Sequence, residues 1–241
     1  MAGPKVAIVS GANRGIGFEV ARQLARDHSF HVVLGCRDMD KGSQAADLLH
    51  QEGLDVTARQ VDILSDNSVR AFAVWVDKNY EAIDALVNNA GILLERTYTV
   101  DENVEVDGLV VEIDLVKQIL ETNLLGTLRM IQKLVPSIKK GGRVINVSSR
   151  MGQFEWAGSN MIGYRLSKTA LNGLTANLAV ALSDRNISVN CLCPGWVRTE
   201  MGSKFAHIEV EEGAETAVWL AAAADPEITG KFFFEKQEIP W

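Results

Sequence analysis

One local pattern restricts the fold of this 241-residue chain more than any other: a short apolar run, a glycine-rich turn and an amphipathic stretch in direct succession. Residues 6–9 are apolar and too few for a helix, S-G-A-N-R-G-I-G occupies positions 10–17, and residues 18–26 have helical periodicity. A strand that is apolar on both faces is typical of a parallel sheet covered by helices. The pattern therefore predicts an α/β fold that begins with strand, glycine turn and helix.

Apolar runs and amphipathic stretches alternate to the end of the chain, which predicts one domain over residues 1–241. The expected fold is a single-domain, Rossmann-type, doubly wound parallel sheet of about seven strands flanked by helices. The longest helix is expected at about residues 111–138, with Gly141-Gly142 ending it. The acidic run 101–107, within the polar segment 95–107, is interpreted as a solvated loop. The other expected strands cover residues 32–34, 56–61, 85–87, 143–147, 187–192 and 231–234, and the other expected helices cover residues 41–52, 66–78, 162–183 and 214–223.

Bulk composition excludes several classes of protein. The chain is 47% hydrophobic and 23% charged, and no apolar run reaches the ~18 residues of a membrane helix. A formal charge of −7 argues against a general nucleic-acid binder, whose domains are usually basic. The start of the chain lacks the pattern of a secretion signal, and Cys36, Cys191 and Cys193 fit reduced thiols. We therefore expect a cytoplasmic protein without nucleic-acid or membrane partners.

The three glycines of the turn have the spacing G-x-x-x-G-x-G, and each has its own physical role. Gly11 can adopt a turn conformation closed to other residues, Gly15 leaves room for backbone to approach a phosphate, and Gly17 lets helix and strand pack closely. In doubly wound sheets the pyrophosphate of a dinucleotide binds at this first turn, against a helix N-terminus. The spacing differs from the usual G-x-G-x-x-G, and a turn that binds nothing is the alternative. Its place after the first strand favours dinucleotide binding.

Two arginines are expected near the adenosine ribose of such a dinucleotide. Arg14 lies inside the turn, and Arg37 follows the second expected strand. NAD binders commonly place a carboxylate there for the 2′-hydroxyl, whereas arginine accommodates the 2′-phosphate of NADP. Two guanidinium groups at this place favour NADPH/NADP. The alternative is a solvated Arg37, with Asp38 binding the hydroxyl of NAD.

A second pattern is suited to acid–base chemistry. An apolar run ends in Ser148 and Ser149, and after a short loop Tyr164 and Lys168 stand four positions apart. On a helix the last two share a face, so an ammonium lies near a phenol. A phenol titrates near pH ~10, and a nearby cation favours its ionised form. Taken alone, this spacing also fits an ordinary pair on a helix surface.

Together these motifs resemble those of the short-chain dehydrogenases/reductases, and the resemblance covers essentially the whole chain. Seven matches in the order of the family are far more specific than any one of them. They are S-G-A-N-R-G-I-G (10–17), V-D (61–62), N-N-A-G (88–91), Asn123, N-V-S-S (146–149), Y-R-L-S-K (164–168) and P-G-W-V-R-T (194–199).

Within the family the chain is most similar to the carbonyl reductase branch, through C-P-G-W-V-R-T-E-M, E-E-G-A-E-T-A and F-E-K-x-x-x-x-W in its last fifty residues. It departs from that branch in one place. Only fourteen residues separate Ser149 from Tyr164, where those relatives carry a long helical insertion that blocks subunit association. The monomeric state therefore does not carry over. The resemblance implies a homodimer or homotetramer that pairs through helices 111–138 and 162–183.

The resemblance implies a role for each of four residues. Tyr164 donates a proton to a carbonyl oxygen while hydride arrives from the nicotinamide, and Lys168 lowers its pKa and holds the nicotinamide ribose. Ser149 hydrogen-bonds the substrate oxygen; Ser148 is the alternative, but the family position is the second serine. Asn123 kinks the long helix and carries a water toward the lysine, unless it is an ordinary polar helix residue.

The resemblance also implies the contacts to the cofactor. The pair 62–63 matches the residues that contact the adenine, and the pair 89–90 borders the ribose. Val197 and Thr199 match the residues that receive the nicotinamide carboxamide. The expected cofactor-binding residues are Gly11, Asn13, Arg14, Gly15, Ile16, Gly17, Arg37, Asp62, Ile63, Asn89, Ala90, Gly91, Tyr164, Lys168, Pro194, Gly195, Val197 and Thr199.

Met151, near Ser149, and Trp196, within P-G-W-V-R-T, are candidates for an apolar surface that contacts the substrate. Phe154 and Trp156 extend that set, although packing explains Trp156 almost as well. Cys193 is interpreted as a buried, inert thiol. The four histidines are scattered without a cysteine or carboxylate at ligand spacing, so no metal site is expected. The expected substrate contacts are Ser149, Met151, Tyr164 and Trp196.

These inferences predict an NADPH-dependent carbonyl reductase that converts ketones and aldehydes to alcohols by hydride transfer, with tyrosine as the proton donor. A close alternative is an NADP-dependent alcohol dehydrogenase that oxidises a hydroxysteroid, terpenoid or hydroxyacyl substrate. A distant alternative is a dinucleotide-sensing binding protein without turnover. Proteins of that last class tend to lose the tyrosine or the lysine, and both are present here.

Overall fold

Eight strands form a central sheet in the computed structural model, which describes residues 4–98 and 103–241. The strands of this sheet are β1 (Lys5–Ser10), β2 (Phe30–Cys36), β3 (Val56–Gln60), β4 (Ile83–Asn88), β7 (Ile138–Val147), β8 (Ser188–Cys193), β9 (Phe232–Phe234) and β10 (Gln237–Ile239), and β5 (Arg96–Tyr98) and β6 (Asn103–Glu105) lie outside it. The order in the sheet is β3-β2-β1-β4-β7-β8-β9-β10. All neighbours are parallel except β9 and β10.

Helices cover both faces of this sheet. They are α1 (Gly15–His28), α2 (Met39–Gln51), α3 (Asp66–Asn79), α4 (Ile113–Leu120), α5 (Thr127–Leu134), α6 (Ile162–Ala181) and α7 (Val210–Ala222). Along β1, Ala7 and Val9 join an apolar cluster with α1, α2 and α7, whereas Val6 and Ile8 join one with α3, α5 and α6. This confirms the predicted doubly wound α/β fold. No helix in the described part of the chain is both long and apolar enough to cross a membrane.

The winding of the chain changes direction at β1. This strand lies between β2 and β4, so the sheet grows to one side through β2 and β3 and to the other through β4, β7 and β8. In open α/β sheets, ligands bind beyond the carboxyl ends of the strands at such a switch point. The glycine turn after β1, the N-N-A-G motif after β4 and the serine pair after β7 all lie at that edge.

The long helix predicted at residues 111–138 differs from the prediction in its middle and at its end. A π-helical segment, Glu121–Gly126, separates α4 from α5. A 3-10 turn, Val135–Ser137, follows α5, and Pro136 in that turn has no N–H to continue the helix. Because β7 begins at Ile138, Gly141-Gly142 lies inside a strand, and the prediction that it ends the helix is wrong.

Three strands of the structure are missing from the prediction: β5, β6 and β10. β5 and β6 form a separate antiparallel pair within the segment 95–107. Residues 103–105 of the predicted solvated loop 101–107 are therefore a strand, and residues 99–102 lie outside the described residues. β10 adds an antiparallel edge strand, so the sheet has eight strands instead of about seven. Its turn uses Glu235 and Lys236 at φ of 50° and 63°, in place of the Asn-Gly or Asp-Gly pair that marks such hairpins in a sequence.

Candidate active site

The glycine turn between β1 and α1 has the backbone shape that an approaching phosphate requires. Gly11 and Gly15 have φ of 66° and 56°, a conformation that residues with a Cβ rarely adopt. A Cβ built on Gly11 would lie 3.0 Å from the Cα of Ala90. Asn13 and Ile16 are half-buried in the same turn. Because a helix N-terminus favours anions, the turn and the start of α1 fit the pyrophosphate of a dinucleotide.

The N-N-A-G segment after β4 is bonded directly to this turn. Ser10 Oγ accepts hydrogen bonds from the backbone N–H groups of Asn89 and Ala90, each at 3.1 Å. Asn89 Nδ2 donates to the carbonyl oxygens of Ser10 at 3.1 Å and Gly11 at 3.2 Å. The glycine turn and the N-N-A-G segment, both predicted to bind the cofactor, therefore form one continuous surface.

The predicted adenosine end carries two exposed arginines. Arg37 directly follows β2. The next residue, Asp38, accepts a hydrogen bond from the N–H of Lys41 at 3.2 Å and so caps α2. This bond engages one of the two carboxylate oxygens of Asp38. Arg14 forms an exposed ion pair with Glu200.

The predicted adenine pair follows β3 at the same edge of the sheet. Asp62 Oδ1 accepts a hydrogen bond from the N–H of Leu64 at 3.0 Å, and the Asp62 N–H donates to Ser68 Oγ at 2.9 Å. Ile63 is buried, and a Cβ built on Gly126 would lie 2.8 Å from its Cδ1. These contacts fix the pair beyond the end of β3, where the resemblance places the adenine.

Tyr164 and Lys168 lie one turn apart on α6, as their spacing predicts. Lys168 Nζ is 5.6 Å from the centre of the Tyr164 ring and donates to the carbonyl oxygen of Val147 at 2.8 Å. Burial lowers the pKa of Lys168 to about 8, an effect that Cys193 and Cys191 partly offset. An ammonium and a phenol are thus held side by side at the carboxyl edge of the sheet.

Asn123 lies in the π-helical segment, and its side chain extends toward Lys168 on α6. Its Oδ1 accepts the N–H of Ile92 at 2.8 Å, and its Nδ2 donates to the oxygen of Ile92 at 2.9 Å and to Ser167 Oγ at 3.0 Å. A Cβ built on Gly91 would lie 3.2 Å from Asn123 Oδ1 and 3.8 Å from Lys168 Nζ. π-Helical turns are frequent at functional sites, and this one brings the predicted asparagine to the predicted lysine.

The two serines after β7 have different surroundings. Ser148 is 2% exposed, and its Oγ donates to Asn172 Oδ1 at 2.6 Å. Ser149 is partly exposed, and its Oγ accepts the N–H of Met151 at 3.1 Å. That bond leaves the Ser149 hydroxyl hydrogen available for a substrate oxygen. The geometry therefore favours Ser149 over the alternative, Ser148.

The segment after β8 brings the predicted nicotinamide residues back to the glycine turn. A Cβ built on Gly15 would lie 3.3 Å from Cγ2 of Thr199. Gly195, which follows Pro194, has φ of 82°, and Val197 is buried. This end of the chain thus closes on the same turn that N-N-A-G contacts.

Cys193, at the end of β8, is buried beside this segment. Burial raises the pKa of its thiol, so the group stays protonated at neutral pH. Its Sγ accepts the N–H of Gly195 at 3.3 Å. These features agree with an inert thiol. In the parts of the chain that the structure describes, no three His, Cys, Asp or Glu side chains are grouped so that they could hold a metal ion.

The apolar residues predicted near the substrate differ in their contacts. Trp196 is 36% exposed, and its Nε1 donates to the oxygen of Gly202 at 2.8 Å. Phe154 is 82% exposed and borders a cavity of about 260 Å³ beside α6. Trp156 is 45% exposed, and the centre of its ring lies 4.1 Å from the guanidinium carbon of Arg150, a contact that fits the packing interpretation.

The prediction omits one residue that contacts this site directly, Glu95. Its carboxylate accepts hydrogen bonds from the backbone N–H groups of Gly163 and Tyr164, which lie 68 and 69 positions further along the chain. A single carboxylate in a polar segment gives no periodic signal, and a partner so distant leaves no local motif. Only the folded structure identifies it.

Comparison with known proteins agrees with this geometry. The profile of the short chain dehydrogenase family matches residues 5–209, a range that includes the glycine turn, Tyr164 and Lys168. The chain belongs to the short-chain dehydrogenase family. It is therefore an oxidoreductase of the type that its motifs predict.

Two relatives align with this short-chain dehydrogenase over nearly its whole length. Carbonyl reductase (NADPH) 1 from Bos taurus is 33% identical over 98% of both chains, and (+)-neomenthol dehydrogenase from Arabidopsis thaliana is 31% identical over 98% of this chain and 97% of its own. The first alignment spans 283 positions, so the bovine protein has residues without a counterpart here. A solved structure of an actinorhodin polyketide ketoreductase variant with NADPH is 26% identical, with a TM-score of 0.82 over 96% of both chains. The predicted likeness to carbonyl reductases is confirmed.

Proposed function

We propose that this short-chain dehydrogenase reduces ketones and aldehydes to alcohols with NADPH, reversibly, with Tyr164 as the proton donor. The observation that carries the proposal is the buried Lys168 ammonium, 5.6 Å from the Tyr164 ring, at the sheet edge where the glycine turn lies. Carbonyl reduction needs a hydride source and a proton donor that face one carbonyl group. The NADPH in the names of the relatives supports the choice of cofactor.

The residues around the turn fit NADPH. Gly11, Gly15 and the N-terminus of α1 would hold the pyrophosphate, and Arg37 would hold the 2′-phosphate, with Arg14 joining it once the ion pair with Glu200 opens. Thr199 would receive the nicotinamide carboxamide at the other end. Bound in this way, NADPH supplies the hydride.

The side chains on α6 and after β7 supply the rest of the reaction. Tyr164 gives its hydroxyl proton to the carbonyl oxygen, and the Lys168 ammonium stabilises the phenolate that remains. Little water screens that charge, because Lys168 is buried. Ser149 donates a hydrogen bond to the same carbonyl oxygen and stabilises the negative charge that develops there.

The residues that we expect to contact the substrate favour carbonyl compounds with an apolar part. Met151 and Trp196 offer apolar surface next to the serine and after the last motif. The same groups run the reverse reaction when the Tyr164 phenolate accepts the proton of an alcohol. Similarity to (+)-neomenthol dehydrogenase makes oxidation of a terpenoid alcohol the second candidate, with hydroxysteroid and hydroxyacyl alcohols in the same class.

A panel of ketones and aldehydes, followed by consumption of NADPH, tests this proposal. Tyr164→Phe removes only the donating hydroxyl and is expected to lower kcat by about 10²- to 10⁴-fold. Tyr80→Phe is the matched control, because the Tyr80 hydroxyl bonds His31 Nε2 at 2.8 Å near the start of β2. Full activity of Tyr164→Phe contradicts the mechanism. Tight NADPH binding without turnover of any carbonyl would instead favour a dinucleotide-sensing protein.

We also propose that the protein is a cytoplasmic homodimer or homotetramer. Ile113 on α4 and Leu166 and Val180 on α6 are 66%, 49% and 76% exposed, and a second copy would remove this apolar surface from water. The three cysteines are free, which suits a reducing compartment. Light scattering on the purified protein measures the mass, and a monomer contradicts the assembly.

A further inference from the structure

The carboxylate of Glu95 is enclosed beneath the N-terminus of α6. Glu95 is 0% exposed, and its two oxygens accept separate hydrogen bonds from consecutive N–H groups, Oε1 from Gly163 at 2.8 Å and Oε2 from Tyr164 at 2.7 Å. A Cβ built on Gly163 would lie 3.1 Å from Oε1, so a side chain at position 163 would crowd the carboxylate. The helical turn that carries Tyr164 is thereby fixed from outside the helix.

This contact takes the place of an ordinary helix cap. The first N–H groups of a helix lack partners within the helix and are usually satisfied by Ser, Thr, Asp or Asn at the N-cap. The N-cap of α6 is Met161, with φ of 50° and no side-chain cap bond. A carboxylate there also interacts favourably with the positive end of the helix dipole. Glu95 therefore supplies what the local sequence of α6 lacks.

The stretch that carries Glu95 also contacts Asn123. Three residues earlier, the backbone N–H and oxygen of Ile92 bond the Asn123 side chain at 2.8 Å and 2.9 Å. The backbone oxygen of Glu95 accepts the N–H of Val106 at 2.9 Å, and the Val106 oxygen accepts the N–H of Met161 at 3.1 Å. One short stretch of chain therefore connects the π-helical segment with the first turn of α6.

We propose that Glu95 is a positioning residue, which orients Tyr164 for proton transfer by fixing the backbone of its helical turn. The inference rests on the proposed function of Tyr164 as proton donor. Each oxygen of Glu95 accepts one of the two N–H bonds, which suits a side chain whose oxygens both act as acceptors. Loss of the cap frees mainly the turn that carries the tyrosine. Displacing a reacting group by about 1 Å costs about 10²-fold in rate.

Two variants test this role, one by changing the charge of the side chain and the other by changing its length. Glu95→Gln keeps the size of the side chain but turns an amide N–H toward one backbone N–H, so that two donors face each other. Glu95→Asp keeps the charge but is one methylene too short to reach both donors. Glu112→Gln is the matched control, because Glu112 is exposed at the N-cap of α4 and makes no side-chain cap bond.

We expect kcat for carbonyl reduction to fall about 10- to 100-fold in both Glu95 variants. The KM of the carbonyl and the Kd of NADPH stay near the wild-type values, since Glu95 is 0% exposed and offers no surface to either ligand. The solvent deuterium isotope effect on kcat rises, because proton transfer from a misplaced tyrosine limits the rate. Glu112→Gln behaves as wild type.

The wild-type protein gives a readout that does not depend on whether a variant folds. We expect the Gly163 and Tyr164 amides to exchange hydrogen as slowly as amides further along α6, whereas uncapped first-turn amides exchange freely. Fast exchange of both amides overturns the inference, as do two Glu95 variants with wild-type kcat. If both Glu95 variants lose NADPH binding as well as kcat, the inference is also overturned, because Glu95 then stabilises the whole fold and not only the turn of Tyr164. A wild-type protein that reduces no carbonyl overturns the proposed function, and the inference with it.

Discussion

Lys168 Nζ lies 5.6 Å from the centre of the Tyr164 ring and donates to the carbonyl oxygen of Val147 at 2.8 Å. The last carbonyl of β7 thus holds the ammonium beside the phenol. Lys168 is only 6% exposed, so its charge is poorly screened by water and acts strongly on the phenol. The same burial makes the charge costly to keep in the folded protein.

The buried ammonium is expected to make the stability of the cofactor-free protein depend on pH. Burial lowers the pKa of Lys168 from 10.5 to about 8. Below pH 8 the folded and unfolded chains both bind the proton, and the folded protein bears the whole cost of burying it. Between pH 8 and 10.5 the folded chain releases the proton while the unfolded chain keeps it, so stability rises with pH.

Lys168→Met removes this cost and isolates the effect. The free energy of unfolding of the variant, relative to wild type, is expected to be highest below pH 8 and to fall by about 3 kcal/mol by pH 10.5. Denaturant unfolding at a series of pH values measures the difference. Lys117→Met is the control, because that side chain is 70% exposed. A difference between Lys168→Met and wild type that stays constant over this range contradicts the prediction.

The two serines after β7 are expected to respond to alanine in opposite ways. Ser149→Ala removes the partly exposed hydroxyl that we assign to the substrate oxygen, so kcat should fall about 10²- to 10³-fold, while loss of its cap bond to the Met151 N–H should cost at most about 1 kcal/mol of stability. Ser148→Ala removes the donor at 2.6 Å from Asn172 Oδ1, which should cost about 1–3 kcal/mol of stability while kcat is retained. Each variant serves as the control for the other in steady-state kinetics and thermal unfolding. The reverse result would assign the substrate contact to Ser148.

The sequence predicted the fold well wherever periodicity and turn chemistry agreed. The strand, glycine turn and helix at β1 and α1 form as predicted, because buried parallel strands are apolar on both faces. Periodicity alone did not predict the π-helical segment Glu121–Gly126, since the apolar positions continue through it at spacings of three and four, whereas the resemblance implied a kink at Asn123 within it. β10 escaped prediction because its turn at Glu235 and Lys236 contains neither Gly nor Asn.

At the candidate site, the sequence identified residues that belong to motifs and missed those that act through distant contacts. Tyr164 and Lys168 share a helix face, so their spacing alone predicts their proximity. Glu95 meets Tyr164 only because the fold brings together residues 69 positions apart. The ion pair between Arg14 and Glu200, which are 186 positions apart, escaped prediction for the same reason.

Arg37 is expected to determine the preference for NADPH over NADH. Its exposed guanidinium directly follows β2, where the 2′-phosphate would lie, while Asp38 is engaged as the cap of α2. A charge-assisted bond contributes about 1.5–3 kcal/mol, so Arg37→Ala should raise the Kd of NADPH about 10- to 100-fold and leave that of NADH nearly unchanged. Fluorescence titration with both cofactors measures this. Arg26→Ala, near the far end of α1, is the control, and an unchanged preference in Arg37→Ala would favour a solvated Arg37.

Two Gly→Ala substitutions should separate the cofactor turn from an ordinary helix position. A Cβ on Gly17 would lie 2.4 Å from Asn89 Nδ2 and 2.6 Å from the oxygen of Gly11, so Gly17→Ala must displace the side chain that joins N-N-A-G to the turn. We expect Gly17→Ala to lower the free energy of unfolding by about 1–3 kcal/mol and to abolish NADPH binding.

Gly173→Ala is the matched change on α6, where a Cβ would meet nothing within 4 Å in the same chain. Gly173 shares the helix face of Leu166 and Val180, where we propose that subunits pair, so the mass of this variant is measured as well. Because alanine has the higher helix propensity, it should raise stability by about 0.5–1 kcal/mol and leave NADPH binding intact. Thermal unfolding and NADPH titration of both variants measure these effects. Retention of NADPH binding in Gly17→Ala would show that the turn tolerates a side chain there, and the pyrophosphate would then have to lie elsewhere.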